Sequence, residues 1–111
     1  MISRFQVPNE KIPVIGTRAF LQIGEKFLVL FNIDTQFYAI DDGCPHQGAS
    51  LFTGRLDGKL IQCCAHGLRF DLESGYLLNS KYLKVNSYPV EVIGEDVFII
   101  MNSAGEQHEQ C

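Results

Sequence analysis

The apolar residues of this chain arrive in runs that are too short for helices. They are Ala19-Phe20-Leu21, Phe27-Leu28-Val29-Leu30-Phe31, Phe37-Tyr38-Ala39-Ile40, Leu60-Ile61, Val90-Glu91-Val92-Ile93 and Val97-Phe98-Ile99-Ile100-Met101. None of them sustains a 3.6-residue period. Between the runs lie turn-forming pairs and triplets: Gly24-Glu25, Asp34-Thr35, Asp57-Gly58, Ser74-Gly75 and Gly94-Glu95-Asp96. Such residues close hairpins because they accept left-handed or tightly turned backbone. The pattern therefore predicts an all-β domain of short antiparallel strands, a small sandwich or barrel.

A chain of 111 residues has room for one domain and one small core. That domain is expected to fill residues 1–101, and the polar segment 102–111 reads as a mobile tail. With 46% hydrophobic and 20% charged residues the composition is globular rather than disordered. The formal net charge of -4 offers no basic field for a phosphate backbone, so a nucleic-acid partner is not expected. The longest apolar stretch, Phe27 to Phe31 with Ile33 beyond Asn32, is far too short to cross a bilayer. The first eight residues lack the pattern of a secretion signal, which implies a cytoplasmic protein. Four cysteines in a reducing compartment point to metal or redox use rather than a disulfide framework.

Two stretches, residues 41–53 and 63–75, do not fit as simple strands and are rich in Gly, Cys and His. The first carries Cys44-Pro45-His46 and the second Cys63-Cys64-Ala65-His66, with sixteen residues between His46 and Cys63. Those sixteen contain Leu51-Phe52, a turn expected at Gly54 to Gly58, and Leu60-Ile61, which together form a hairpin that returns the second pair beside the first. Thiolates and imidazoles offered in matched pairs are ligands for zinc or for an iron–sulfur cluster. A buried cysteine as a small hydrophobe and a structural zinc site remain the alternatives, although the C-x-H spacing is short for a zinc knuckle.

Cys44-Pro45-His46-Gln47-Gly48 and Cys63-Cys64-Ala65-His66-Gly67 resemble the two loops of Rieske [2Fe–2S] proteins. The resemblance extends through Phe37-Tyr38-Ala39-Ile40 upstream and from Phe70-Asp71 to Gly75 downstream, covering most of residues 15 to 101. It implies a Rieske-type domain, an antiparallel β-sandwich or barrel carrying a cluster-binding subdomain of two loops. It also implies one [2Fe–2S] cluster per chain, with Cys44 and Cys63 on one iron and His46 and His66 on the other. In size the chain is most similar to the Rieske-type ferredoxins of bacterial ring-hydroxylating oxygenase systems, and next to the small subunit of the cytoplasmic nitrite reductase. The first likeness implies a monomeric one-electron carrier between a flavoprotein reductase and a terminal oxygenase. The second implies a small electron-transferring or structural subunit held by the nitrite reductase large subunit, and a zinc-stapled interaction module is the third reading. The chain carries no G-x-G-x-x-G fingerprint, and once His46 and His66 are committed only His108 remains. Too few ligands are left for a mononuclear iron site, so the chain is not expected to be an enzyme by itself.

The resemblance has informative departures. High-potential Rieske proteins carry Ser and Tyr where this chain has Leu68 and Phe70, and a disulfide where it has Ala49 and Ala65. Without those hydroxyls the reduced state is less stabilised, which lowers the expected potential. Cys64 replaces a usual Pro and reads as a buried spectator thiol, with thiolate ligation as the lesser alternative, and segment 77–86 lacks the Pro-containing wall. Cys111 and His108 read as tail residues. The exposed imidazole edges of His46 and His66, rimmed by Pro45, Leu51 and Leu68, are the expected electron port.

Overall fold

The computed structural model describes residues 2–43, 50–63, 68–78 and 83–102. Ten strands run along these residues: β1 (Ile2–Gln6), β2 (Arg18–Ile23), β3 (Lys26–Ile33), β4 (Gln36–Asp41), β5 (Arg55–Asp57), β6 (Leu60–Gln62), β7 (Arg69–Asp71), β8 (Ser87–Tyr88), β9 (Val90–Ile93) and β10 (Asp96–Asn102). A single 3-10 turn, Asn9–Lys11, links β1 to β2. The all-β expectation holds. The expected runs became β2, β3, β4, β6, β9 and β10, whereas β1, β5, β7 and β8 carry too few consecutive apolar residues to be read in advance.

The strands form three antiparallel sheets, ordered β1-β10-β9, β2-β3-β4-β8 and β5-β6-β7. β3 is buried from Leu28 through Asn32. Successive side chains on a strand point to opposite faces, so an uninterrupted apolar run needs cover on both. Leu28 and Leu30 enter one core with Leu21, Ala39, Val97, Ile99 and Val7. Val29 and Phe31 enter the other with Ile40, Leu51, Ile61, Cys63, Phe70, Leu72 and Val85. The four-stranded sheet is thus a middle layer, with β1-β10-β9 packed on one face and β5-β6-β7 on the other. Two cores replace the single core expected from length.

The turns fall where local chemistry places them. Asp34 and Thr35 both have positive φ, 53° and 66°, and join Ile33 to its ladder partner Gln36 as a two-residue hairpin. The β5–β6 turn is Gly58-Lys59, between the partners Asp57 and Leu60, so Arg55 to Asp57 extends as a strand where a turn was expected. Pro89 separates β8 from β9. It has no N–H for a ladder, and at that point the chain leaves Ala39 of the middle sheet (opposite Tyr88) for Ile99 of the outer one (opposite Val90). β10 runs to Asn102, opposite Ile2, and the remainder of the expected tail lies outside the described residues.

Candidate metal centre

Both Cys/His segments leave from firmly closed roots. At the first, Gly43 bridges Ser50 and the Leu51 N–H donates to the Asp42 carbonyl at 2.6 Å, which encloses residues 44–49. Asp42 closes the same root with its side chain: Oδ1 accepts from Ser50 Oγ at 2.8 Å and from the Phe52 N–H at 2.9 Å. At the second, the Gln62 and Arg69 pairing is continued by the Cys63 N–H, which donates to the Leu68 carbonyl at 2.7 Å and encloses residues 64–67. Leu51 from the first root and Cys63 from the second lie in the same core.

Of the four expected ligands, Cys63 is described, and Cys44, His46 and His66 lie outside the described residues. Cys63 is 1% exposed and unpaired, among Val29, Phe31, Ile61 and Phe70. Among the described residues no group of three or more His, Cys, Asp or Glu stands together. Cys64, Ala49 and Ala65 also lie outside them, as do Pro45 and the imidazole edges of the expected port. Leu51 is not a rim residue: its N–H is tied to the Asp42 carbonyl and its side chain is fully buried in the core with Ile61 and Phe70. Leu68 is half-buried against the Cys63 core.

The described residues of segment 77–86, which has no proline, cover a further side of that core. Phe70 bridges Leu77, Tyr76 bridges Lys84, and the Leu77 N–H donates to Leu83 at 2.9 Å. Leu77, Leu83 and Val85 then pack on the Cys63 core, so apolar side chains supply the cover.

Three residues near the roots carry no motif signal. Arg18, on β2, sends Nη1 to the Phe52 carbonyl at 2.9 Å and the Gly54 carbonyl at 2.8 Å, with its guanidinium over the Phe31 ring at 5.6 Å. A Cβ at Gly54 would stand 2.3 Å from the Gln62 carbonyl oxygen, so only glycine fits there. Asp42 could have been suspected as an Asx residue opening a Gly-containing loop. Arg18 could not, since its partners are 34 and 36 residues away.

The family model for the Rieske [2Fe-2S] domain matches residues 6–89. The 3-phenylpropionate/cinnamic acid dioxygenase ferredoxin subunit of Escherichia coli (strain K12) is 38% identical over 79 residues, covering 69% of this chain and 74% of the relative. The ferredoxin component of the alkene monooxygenase system of Xanthobacter autotrophicus is 37% identical over 86 residues, covering 76% and 70%. Among solved structures, a chain from the complex of reduced oxygenase and oxidized ferredoxin in carbazole 1,9a-dioxygenase superposes with a TM-score of 0.75 at 31% identity, over 86% of this chain and 99% of that one. A small subunit assigned to an NADH-dependent nitrite reductase from Mycobacterium tuberculosis shares the fold, with a TM-score of 0.75 at 18% identity over 92% and 97%. The expected cofactor is therefore a Rieske-type [2Fe–2S] cluster and not structural zinc, and the role is that of an electron carrier rather than an enzyme. With residues 6–89 matched by the family model, this chain belongs to the Rieske [2Fe–2S] family.

Proposed function

We propose that the chain is the ferredoxin of a multicomponent oxygenase system, a cytoplasmic monomer that takes single electrons from a flavoprotein reductase and delivers them to a terminal oxygenase. The observation that carries this reading is the 31% identity, over 86% of this chain, to a chain from an oxygenase–ferredoxin complex. The likeness to nitrite reductase small subunits, at 18% identity, is one of fold. Among the described residues no helix is long and apolar enough to cross a membrane.

When bound, the [2Fe–2S] cluster supplies a one-electron couple whose oxidised form is neutral with two thiolates and two imidazoles. Cys44 and Cys63 would hold one iron, and His46 and His66 the other. The surroundings of Cys63 fit that role. A thiolate at the 1% exposed Cys63, in a core with Val29, Phe31, Ile61 and Phe70, would be shielded from water and need a cation to compensate it, which iron would provide. Leu51 and Cys63, at the two roots, share one core, which supports a site built jointly by the two segments. Leu77, Leu83 and Val85 keep water from the Cys63 side, while the half-buried Leu68 begins the surface a partner would meet.

The test is reconstitution. Added to a separate flavoprotein reductase and an oxygenase, the purified chain should make oxygenase turnover depend on its concentration, and it should run as a monomer on size exclusion. Co-purification as a fixed subunit of a larger reductase, with no reduction by an independent flavoprotein, would move it to the nitrite reductase reading.

A further inference from the structure

If one iron is held by Cys44 and Cys63 and the other by His46 and His66, each iron takes one ligand from each loop. The spacing of the loops then sets the bite at both irons. The contacts that hold the two loop roots against each other lie outside both motifs. The first loop ends in a tight turn, where the Gly54 N–H donates to Leu51 at 3.0 Å and Thr53 Oγ1 to Ser50 at 3.0 Å. One side of this turn presses its Gly54 backbone on the carbonyl of Gln62, the residue before Cys63. The other side turns the Phe52 and Gly54 carbonyls toward β2, where the two hydrogens of Arg18 Nη1 serve one carbonyl each, at 2.9 and 2.8 Å. Arg18 is itself half-buried and stacked on Phe31 of the Cys63 core. A charged fork in such a setting makes stronger hydrogen bonds than a neutral group and has few alternative rotamers.

We propose that Arg18 is a positioning residue for the cluster: with Gly54 it fixes the separation of the two ligand loops, and through it the ligand geometry at both irons. This rests on the assignment of Cys44, His46, Cys63 and His66 as ligands. Removing the guanidinium leaves two carbonyls of the turn without their donor, and the turn can then move relative to Gln62. Adding a methyl at Gly54 forces the same movement from the opposite side.

The experiment compares Arg18→Met, Arg18→Lys and Gly54→Ala with Arg4→Met. The last removes a guanidinium that pairs with Glu91 at 3.1 Å and lies over Phe98, on the far outer sheet. Each holoprotein is read by the electron paramagnetic resonance spectrum of its reduced cluster, by its midpoint potential and by the rate of iron loss to a chelator. Arg18→Met and Gly54→Ala should shift the spectrum and lose iron about tenfold faster. Arg18→Lys, which keeps the charge but not the fork, should fall between Met and wild type, and Arg4→Met should match wild type in all three. If Arg18→Met fails to fold, the Lys and Gly54 variants carry the same comparison. Wild-type spectra and iron loss in the folded variants, with only a lowered melting temperature like that of Arg4→Met, would overturn the proposal. An unchanged spectrum in Cys63→Ser and His66→Ala would instead overturn the ligand assignment on which it rests.

Discussion

Cys63 shows how much a single side chain's surroundings can decide. Its neighbours Val29, Phe31, Leu51, Ile61 and Phe70 carry no side-chain donor. Phe70, fully buried in the same core, occupies the position from which a tyrosine would offer a hydroxyl. Hydrogen bonds to the sulfurs raise the potential of such clusters, and these residues supply none. The midpoint is therefore expected near the low end of the roughly −150 to +300 mV Rieske range. A dye-mediated redox titration checks it, and Leu68→Ser combined with Phe70→Tyr should move it upward. Iron and acid-labile sulfide should each be about two per chain. Cys63→Ser should destroy or grossly alter the visible spectrum, while Cys64→Ser should leave it, a contrast that absorbance alone can settle.

The hairpins and small sheets carry consequences of their own. In the β3–β4 turn Asp34 tolerates the left-handed backbone, whereas the β-branched Thr35 suits it poorly. Thr35→Gly, which restores the Asp-Gly pair favoured in this turn, should stabilise the fold by about 1 kcal/mol, measurable as a raised melting temperature. On β5-β6-β7 the ladder aligns Arg55, Gln62 and Arg69 in one row, adjoining Cys63 and Leu68. Both arginines are exposed, and neither has an ion pair among the described residues. The next row on the same face, two residues further out, ends in Asp57 and Asp71, so the face is positive at the end that adjoins Cys63. A protein of net charge -4 should repel an anionic oxidant, with rates that rise with salt. Oxidation by ferricyanide should instead slow as ionic strength increases, and Arg55→Gln with Arg69→Gln should reverse the slope. Further out, Lys59 donates to Glu73 at 3.1 Å, and that bond, then the charges of Glu73, Tyr38 and Asp71, raise its pKa. A raised lysine pKa contributes stability that is complete below the unfolded value and fades only as pH climbs through the folded one. The neutral-pH behaviour of the protein should not depend on it.

Across the molecule, the two faces of the middle sheet divide the work. The core shared with β1-β10-β9 contains no residue of either ligand-loop root, whereas the core shared with β5-β6-β7 contains Leu51 and Cys63. Ile99→Ala and Leu51→Ala remove side chains that are both fully buried and should each cost about 2–5 kcal/mol. Their effects on the cluster should part company. Ile99→Ala is expected to lower the melting temperature with an unchanged visible spectrum, and Leu51→Ala to lower it and hasten iron loss as well. Equal iron loss in both variants would mean that the layers act as one unit.

The all-β class, most hairpin turns and the family resemblance were legible in the chain because each is written in neighbouring residues: short apolar runs, turn residues that accept positive φ, and paired Cys and His. The short strands β5, β7 and β8 were not, since two or three residues show no period and are held as strands by partners elsewhere. The run from Phe27 to Phe31 announced burial but not that its alternate residues serve separate cores. Leu51 reads as a rim residue until its N–H is seen on Asp42 and its side chain in the core. Arg18 and Gly54 are ordinary letters until folding sets one beside carbonyls 34 and 36 residues away and the other against Gln62. Local backbone preference and side-chain chemistry travel with the sequence, whereas close packing between distant segments exists only once the layers have closed.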